Sequence, residues 1–426
     1  MKVSRKKVFI IGAGISGLAA CDHLIQHGFD ARILEARDRS GGRISTDNSL
    51  GLPVSRGAAW VHGADGNPIT QLAESAKVKL VESDFSRVNR FDRHGNLISQ
   101  KDWEQFEKRF ADLLEQAKQY AIHNNNDVSL SSAFSKFIKA DQLSTLEQDM
   151  LHSKISFFEN YMGASYEKLS ARHWDQEETW PGNNCFLAAS YGPIIDNLAK
   201  KCPIQLNCRV RQVNARSNDI EIITDNEVFY ADAVIVTVPL GVLKKQDILF
   251  NPPLPPRKQQ AIENLGMGLL NVIGIKFSTV FWPADQCAMF FSQPDSLSIN
   301  AFINLFYFIQ QPILLGYYGG ETGSQLEQLT DNELIERTMS YFRKFFGMDI
   351  PEPESFFNTR WGQDPFSYGS YSYLAVGSSG EDYEALAAPC DGRLFFAGEA
   401  TSSSYLATTH GAYLSGIREA NRIINL

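Results

Sequence analysis

A chain of 426 residues, 43% apolar and 21% charged, has room for two or three domain-sized units and the composition of an ordinary folded protein. A formal net charge of −9 without a basic stripe argues against nucleic acid as a partner. No apolar run reaches the roughly 18 residues of a membrane span, so no membrane is expected. The cysteines Cys21, Cys185, Cys202, Cys208, Cys287 and Cys390 form no CxxC pair and no zinc-spaced cluster. No metal is therefore expected, and the thiols read as reduced, in a cytoplasmic protein.

In chain order, Val8-Phe9-Ile10-Ile11 reads as a buried strand, and Gly12-Ala13-Gly14-Ile15-Ser16-Gly17 follows at once. Leu18–Ile25 reads as a helix, and a second strand, Asp30–Leu34, ends on Glu35. This strand–turn–helix–strand–acid context marks a dinucleotide fingerprint. Gly12 suits the tight turn, Gly14 lets a pyrophosphate approach, and Gly17 lets helix and strand pack closely. The helix N-terminus, with Ile15 and Ser16, faces the phosphates with unpaired N–H groups. Glu35 is placed to hold the ribose hydroxyls. Lys2, Arg5, Lys6 and Lys7 before an apolar stretch ending Leu18-Ala19-Ala20-Cys21 imitate a lipoprotein-type leader. Cleavage there would destroy the phosphate-binding turn, so the stretch reads as fold.

Ala36-Arg37-Asp38-Arg39-Ser40-Gly41-Gly42-Arg43 comes next. Gly42 permits backbone close to a ligand, and the Arg43 guanidinium suits a pyrophosphate. Gly57-Ala58-Ala59-Trp60-Val61-His62-Gly63 is a second small-residue turn. From about Gln71 to Trp180 amphipathic helical segments dominate, such as Trp103–Phe110, joined by polar connections such as His123-Asn124-Asn125-Asn126-Asp127. This region reads as a lid or substrate domain. Strand texture returns at Pro203–Leu206. Ile220–Thr224 and Glu227–Tyr230 form a hairpin, and Ala233–Pro239 is another buried strand. The Pro-rich Asn251–Arg257 reads as a stiff crossover between domains. Residues 265–318 suggest a second sheet, Asn332–Phe346 a helix, and Leu394–Glu399 a strand and turn before a helix starting near Thr409.

Several of these segments together resemble the flavin-containing amine oxidases. They are the first glycine turn, Leu34-Glu35-Ala36-Arg37-Asp38-Arg39, Gly41-Gly42-Arg43, Val236–Leu243, Phe396-Ala397-Gly398-Glu399-Ala400-Thr401, and Thr409-His410-Gly411-Ala412 with Ser415-Gly416. The resemblance runs end to end. Trp60-Val61-His62-Gly63 with Gly66-Asn67-Pro68 is similar to polyamine oxidases. Arg360–Pro365, Gly369–Tyr373 and Gly377–Gly380 are similar to polyamine oxidases and lysine-specific histone demethylases, and His173-Trp174-Asp175-Gln176 leans toward the latter. The demethylases carry a coiled-coil insertion and an extra helical domain for which this chain has no room, so no corepressor docking is expected.

The resemblance implies an α/β fold with a Rossmann-like FAD-binding domain (1–70, 186–250 and 356–426) and an α+β substrate domain (71–185 and 251–355). It implies FAD held non-covalently, because Tyr371 lies near the place where monoamine oxidases carry their flavin-linking cysteine, and the nearest cysteine is Cys390. The implied reaction takes hydride, or its equivalent, from the carbon beside nitrogen of a small amine, most simply a polyamine, to flavin N5. The imine hydrolyses, and O2 accepts the electrons to give peroxide.

The same resemblance assigns roles. Glu35 and Arg43 hold ribose and phosphates, Val210 meets adenine through its backbone, and Glu399 contacts the phosphate–ribityl region. The flanking Ala36, Arg37, Gly57, Ala58, Ala59, Trp60, Gly398, Thr408 and Thr409 complete the cofactor set. Trp361 packs beside the flavin, Tyr371 forms one wall of an aromatic sandwich, and His62 sits close to the substrate amine. Glu177 and Glu178 are candidates to receive a distal ammonium or form a solvated helix end.

Two positions depart from the family pattern. Val272 stands where the family has a lysine tied to oxygen reactivity, and Lys276 lies further along the strand. Thr408 stands where many polyamine oxidases have the second aromatic wall, which Tyr405 is a candidate to replace. Nothing accounts for Ser55-Arg56 replacing an acidic-apolar pair. Two other readings follow from these departures: a flavin amine dehydrogenase that avoids oxygen, and a non-catalytic flavin-binding interaction protein.

Overall fold

The computed structural model describes residues 6–124, 126–139, 142–292 and 297–426. Lys2, Arg5 and Asn125 of the sequence reading lie outside the described residues. Strand Lys7–Ile11 pairs in parallel with Asp30–Leu34 on one side and Ala233–Val236 on the other. Ile204–Gln205 and Leu394–Phe396 extend these to a five-stranded parallel sheet. Such a sheet is covered on both faces, which is why its strands read as unbroken apolar runs. Val8, Ile10, Ile33, Val234 and Ile235 are fully buried in it.

Helices Ile15–Gln26 and Thr409–Ile424 cover one face. They approach closely because Gly416 lies against Ser16, where an added Cβ would sit 2.1 Å from the Ser16 carbonyl oxygen. The other face packs on a four-stranded sheet built from Val228–Ala231, Ile220–Thr224, Val210–Ala215 and Leu249–Asn251. The Pro-rich stretch runs from the last of these strands into helix Pro256–Asn264, with a proline in its first turn. Proline suits that position because its missing N–H has no helical partner there.

The second large sheet has six strands in the order Ser355–Asn358, Leu270–Lys276, Ile313–Gly319, Ala301–Asn304, Ala288–Phe291 and Val88–Phe91. Helix Asp331–Phe346, opened by a Thr330/Glu333 capping box, packs its apolar stripe on one face. The opposite face carries Val272, Phe290, Ala301 and Ile303.

The region 71–180 is helical as expected, with Trp103–Phe110 inside helix Gln100–His123, followed by Leu130–Phe134 and Thr145–Met162. It also gives two strands that amphipathic reading missed. Leu80–Glu82 pairs with Cys185–Leu187, and Val88–Phe91 forms the parallel edge of the six-stranded sheet. Segments this short show too little alternation to declare themselves, and their partners lie about a hundred or more residues away in sequence. Among the described residues, no helix is long and apolar enough to cross a membrane.

Candidate functional site

A cavity of about 670 Å³ runs from the carboxyl ends of the parallel strands to the second sheet and helix Thr145–Met162. This is the crevice where open parallel sheets place their ligands. Every residue assigned a cofactor or substrate role in the sequence lines it except Gly17, Tyr405 and Glu178.

The nucleotide half begins at the first glycine turn. Gly12 has φ +110°, and a Cβ there would meet Thr237 Oγ1 at 2.7 Å, so the turn admits only glycine. An added Cβ at Gly14 meets nothing within 4 Å, leaving its backbone open to a ligand. Gly17 works behind the turn, where a Cβ would fall 2.0 Å from the Gly12 carbonyl oxygen. Helix Ile15–Gln26 starts without a side-chain cap, which leaves its first N–H groups for an anion. Glu35 is 5% exposed, and its carboxylate accepts from the Ala13 N–H at 2.6 Å and the Arg37 N–H at 2.9 Å.

Arg37 forms a two-point pair with Asp364 at 2.8 and 2.9 Å and lies over the Phe366 ring. Arg43 donates to Glu399 at 2.7 Å and to the Ser370 carbonyl at 3.0 Å. The other Glu399 oxygen accepts from Ser372 Oγ at 2.6 Å, which in turn accepts from the Tyr383 hydroxyl. Val210, Cys208, Arg209 and Asp247 close the far end. A pyrophosphate-sized opening, free helix N–H groups and a carboxylate two residues before an arginine together fit a dinucleotide.

The other half is aromatic. Trp361 is 6% exposed; its N–H donates to Asn271 Oδ1 at 2.8 Å and its Nε1–H to the Arg56 carbonyl at 3.0 Å. The Tyr371 hydroxyl donates to the Asn160 and Tyr161 carbonyls, both at 2.9 Å, in the last turn of helix Thr145–Met162. Tyr161 in turn donates to Glu177 at 3.2 Å. Burial pushes the Tyr161 and Tyr371 hydroxyls and the Glu177 carboxyl upward. His62 faces the edge of Tyr161 at 6.3 Å. Burial holds it below the usual histidine range, so it is neutral at pH 7.

Several sequence expectations change here. Tyr405 does not replace the missing aromatic wall: it stacks on Trp180 at 5.6 Å and meets the edge of His410, outside the cavity. Glu178 turns to Ser404 at 2.8 Å, leaving Glu177 alone to face inward. Thr408 lines the cavity, but its hydroxyl is already engaged, accepting from the Gly411 N–H and donating to the Tyr405 carbonyl. Val272 lines the cavity, whereas Lys276 donates to the Leu50 carbonyl at 3.2 Å and does not. Among the described residues, no lysine lines the cavity.

Sequence reading did not find Asn160, Tyr161, Asn271, Ser372 or Tyr383. The only prior signal for the first two was the Ser144/Glu147 capping box and the Gly163 C-cap that bracket their helix.

The sequence model of the family described as flavin containing amine oxidoreductase matches residues 15–424. Polyamine oxidase 2 of Arabidopsis thaliana is 35% identical over 99% of this chain and 88% of its own length. Lysine-specific histone demethylase 2 of Homo sapiens is 34% identical over 98% of this chain, which spans 53% of that protein. A solved structure of putrescine oxidase bound to putrescine has the same fold, with a TM-score of 0.81 at 19% identity and 99% of each chain covered.

Proposed function

The chain belongs to the flavin-containing amine oxidoreductases, and we propose that it binds FAD non-covalently and oxidises a polyamine. One observation carries this reading: a cavity joins the dinucleotide turn to an aromatic chamber containing Glu177, a carboxylate that pairs with no cation among the described residues. Bound flavin supplies a two-electron oxidation of a carbon–nitrogen single bond, leaving an imine that water hydrolyses.

The protein's own groups do the rest. Glu35 takes the ribose hydroxyls, Arg43 with Glu399 the phosphate–ribityl region, and the Val210 backbone the adenine. The N-terminus of helix Thr409–Ile424 lies at the cavity, where its positive end would favour negative charge on a flavin bound there. Trp361 and Tyr371 confine the amine. The apolar chamber disfavours an ammonium at the reacting nitrogen, and neutral His62 is available to accept a proton from it. Glu177 receives a distal ammonium. Residues 1–70, 186–250 and 356–426 serve the flavin, and 71–185 with 251–355 the amine, in a cytoplasmic enzyme whose acceptor is O2.

The reading is tested by incubating the purified protein with spermine, spermidine, their acetylated forms, aromatic monoamines and methyl-lysine peptides and identifying the products. Aldehyde and amine fragments from a polyamine are expected. Glu177→Gln should raise KM for that polyamine about tenfold or more, the worth of one charge-assisted hydrogen bond, and leave an aromatic monoamine unaffected. Turnover of aromatic monoamines alone would overturn the polyamine assignment. A second reading, an amine dehydrogenase avoiding oxygen, is favoured by Val272 at the cavity wall.

A further inference from the structure

We propose that Asn271 and Glu327 act as a pair of positioning residues that fixes Trp361 in the wall of the cavity. The proposal rests on the flavin-binding reading of that cavity. Strand Leu270–Lys276 alternates, so Leu270 and Val272 face the cavity while Asn271 points away from it. Asn271 is fully buried, and its side-chain oxygen accepts from the Trp361 N–H at 2.8 Å and from Thr359 Oγ1 at 3.2 Å. Its amide N–H donates to Glu327 Oε1 at 3.2 Å. The same Glu327 oxygen accepts from the Gly362 N–H at 2.9 Å. The two side chains therefore hold both backbone N–H groups at the corner that presents Trp361.

Glu327 is 3% exposed and makes no ion pair among the described residues. A carboxylate buried there without a cation needs hydrogen bonds to hold it. The corner is shaped around it, since a Cβ on Gly362 would lie 2.5 Å from Glu327 Oε2. Other titratable groups packed nearby are already engaged. Arg360 pairs with Asp331 at 2.7 Å and donates to the Glu327 backbone carbonyl, and the Tyr318 hydroxyl donates to Asn358. The carboxylate's direct partners are thus Asn271 and Gly362, and Trp361 is the residue they deliver to the cavity.

An exchange of chemistry across the pair tests this. Asn271→Asp keeps an acceptor for the Trp361 N–H but sets a second carboxylate against Glu327. Two carboxylates in contact cannot both ionise cheaply, so at acid pH one proton bridges them, and raising the pH removes it and drives them apart. In holoenzyme carrying Asn271→Asp, kcat should fall by about ten- to hundredfold as pH rises, with KM for the amine little changed. The bound-flavin absorption bands should shift and flavin affinity weaken over the same pH range.

The double variant Asn271→Asp/Glu327→Gln carries the amide and carboxylate in exchanged places and should restore both readouts. Should the single variant not fold, folding of the double with a wild-type flavin spectrum supports the pair. A folded Asn271→Asp with wild-type kcat and flavin spectrum at every pH would overturn it, as would a double variant no better than the single. If no amine reduces wild-type protein, the polyamine reading fails while flavin spectrum and affinity still decide this one.

Discussion

At the scale of the residue, the site divides into groups whose partners are close in sequence and groups whose partners are not. Gly12, Gly14 and Gly17 declared themselves as parts of one turn, and Glu35 as the acid at the end of the next strand. The Glu35 carboxylate takes the Ala13 and Arg37 N–H groups, both within the same fingerprint. The pattern proposes Arg43 as an anion ligand, but its pairing with Glu399 joins opposite ends of the chain and left no local trace. The same holds for Asn271 with Glu327 and for Tyr371 on the Asn160 and Tyr161 carbonyls. Tyr405 stayed an open candidate in the sequence because nothing local says that Trp180 will stack on it. Glu35→Ala removes the proposed ribose acceptor and leaves the Ala13 and Arg37 N–H donors unpaired. Flavin should be lost on purification and stability should drop by about 1–3 kcal/mol. Measurement of the flavin-to-protein ratio checks this, and a normal ratio would contradict the assignment of Glu35.

At the scale of the element, long periodic segments declared themselves and short ones did not. Helix Asp331–Phe346, the hairpin around Asp225-Asn226 and the final helix fell close to where the pattern put them. The strand Val88–Phe91 did not, because an edge strand of a distant sheet is defined by its partner, not its own pattern.

The final helix also carries a pH liability. His410, in its first turn, is 2% exposed, and burial together with nearby His62 lowers its pKa to about 4. The helix N-terminus disfavours an imidazolium as well. Because the folded pKa lies below that of the unfolded chain, the unfolded state takes up a proton that the folded state refuses. Stability contributed by this group is present above about pH 6.5 and is lost as pH falls toward 4. Denaturant unfolding at a series of pH values should show that loss in the wild type and a shallower one in His410→Gln. Parallel pH dependences would contradict it.

At the scale of the whole molecule, the fold's contribution is to bring three separated stretches of chain around one crevice and to close it with a second sheet. The first glycine turn, the 356–373 segment and the 398–409 segment meet only in three dimensions, and the cavity wall opposite them is sheet and helix from the intervening regions. Sequence order therefore announced a dinucleotide, while the chamber's dimensions, and which of the candidates Glu177 and Glu178 turns inward, had to be seen. The chamber's electrostatics also follow from the whole. Among the described residues its lining cations are Arg37, Arg43, Arg56 and Arg209, and the aromatic half offers the Glu177 carboxylate and aromatic faces. That division suits an amine.

The most direct test mixes the purified, flavin-loaded protein anaerobically with spermine and spermidine and then admits air. The account predicts that a polyamine bleaches the flavin, and that colour returns slowly because Val272 puts no cation on the cavity wall. A flavin that neither spermine nor spermidine bleaches would contradict it.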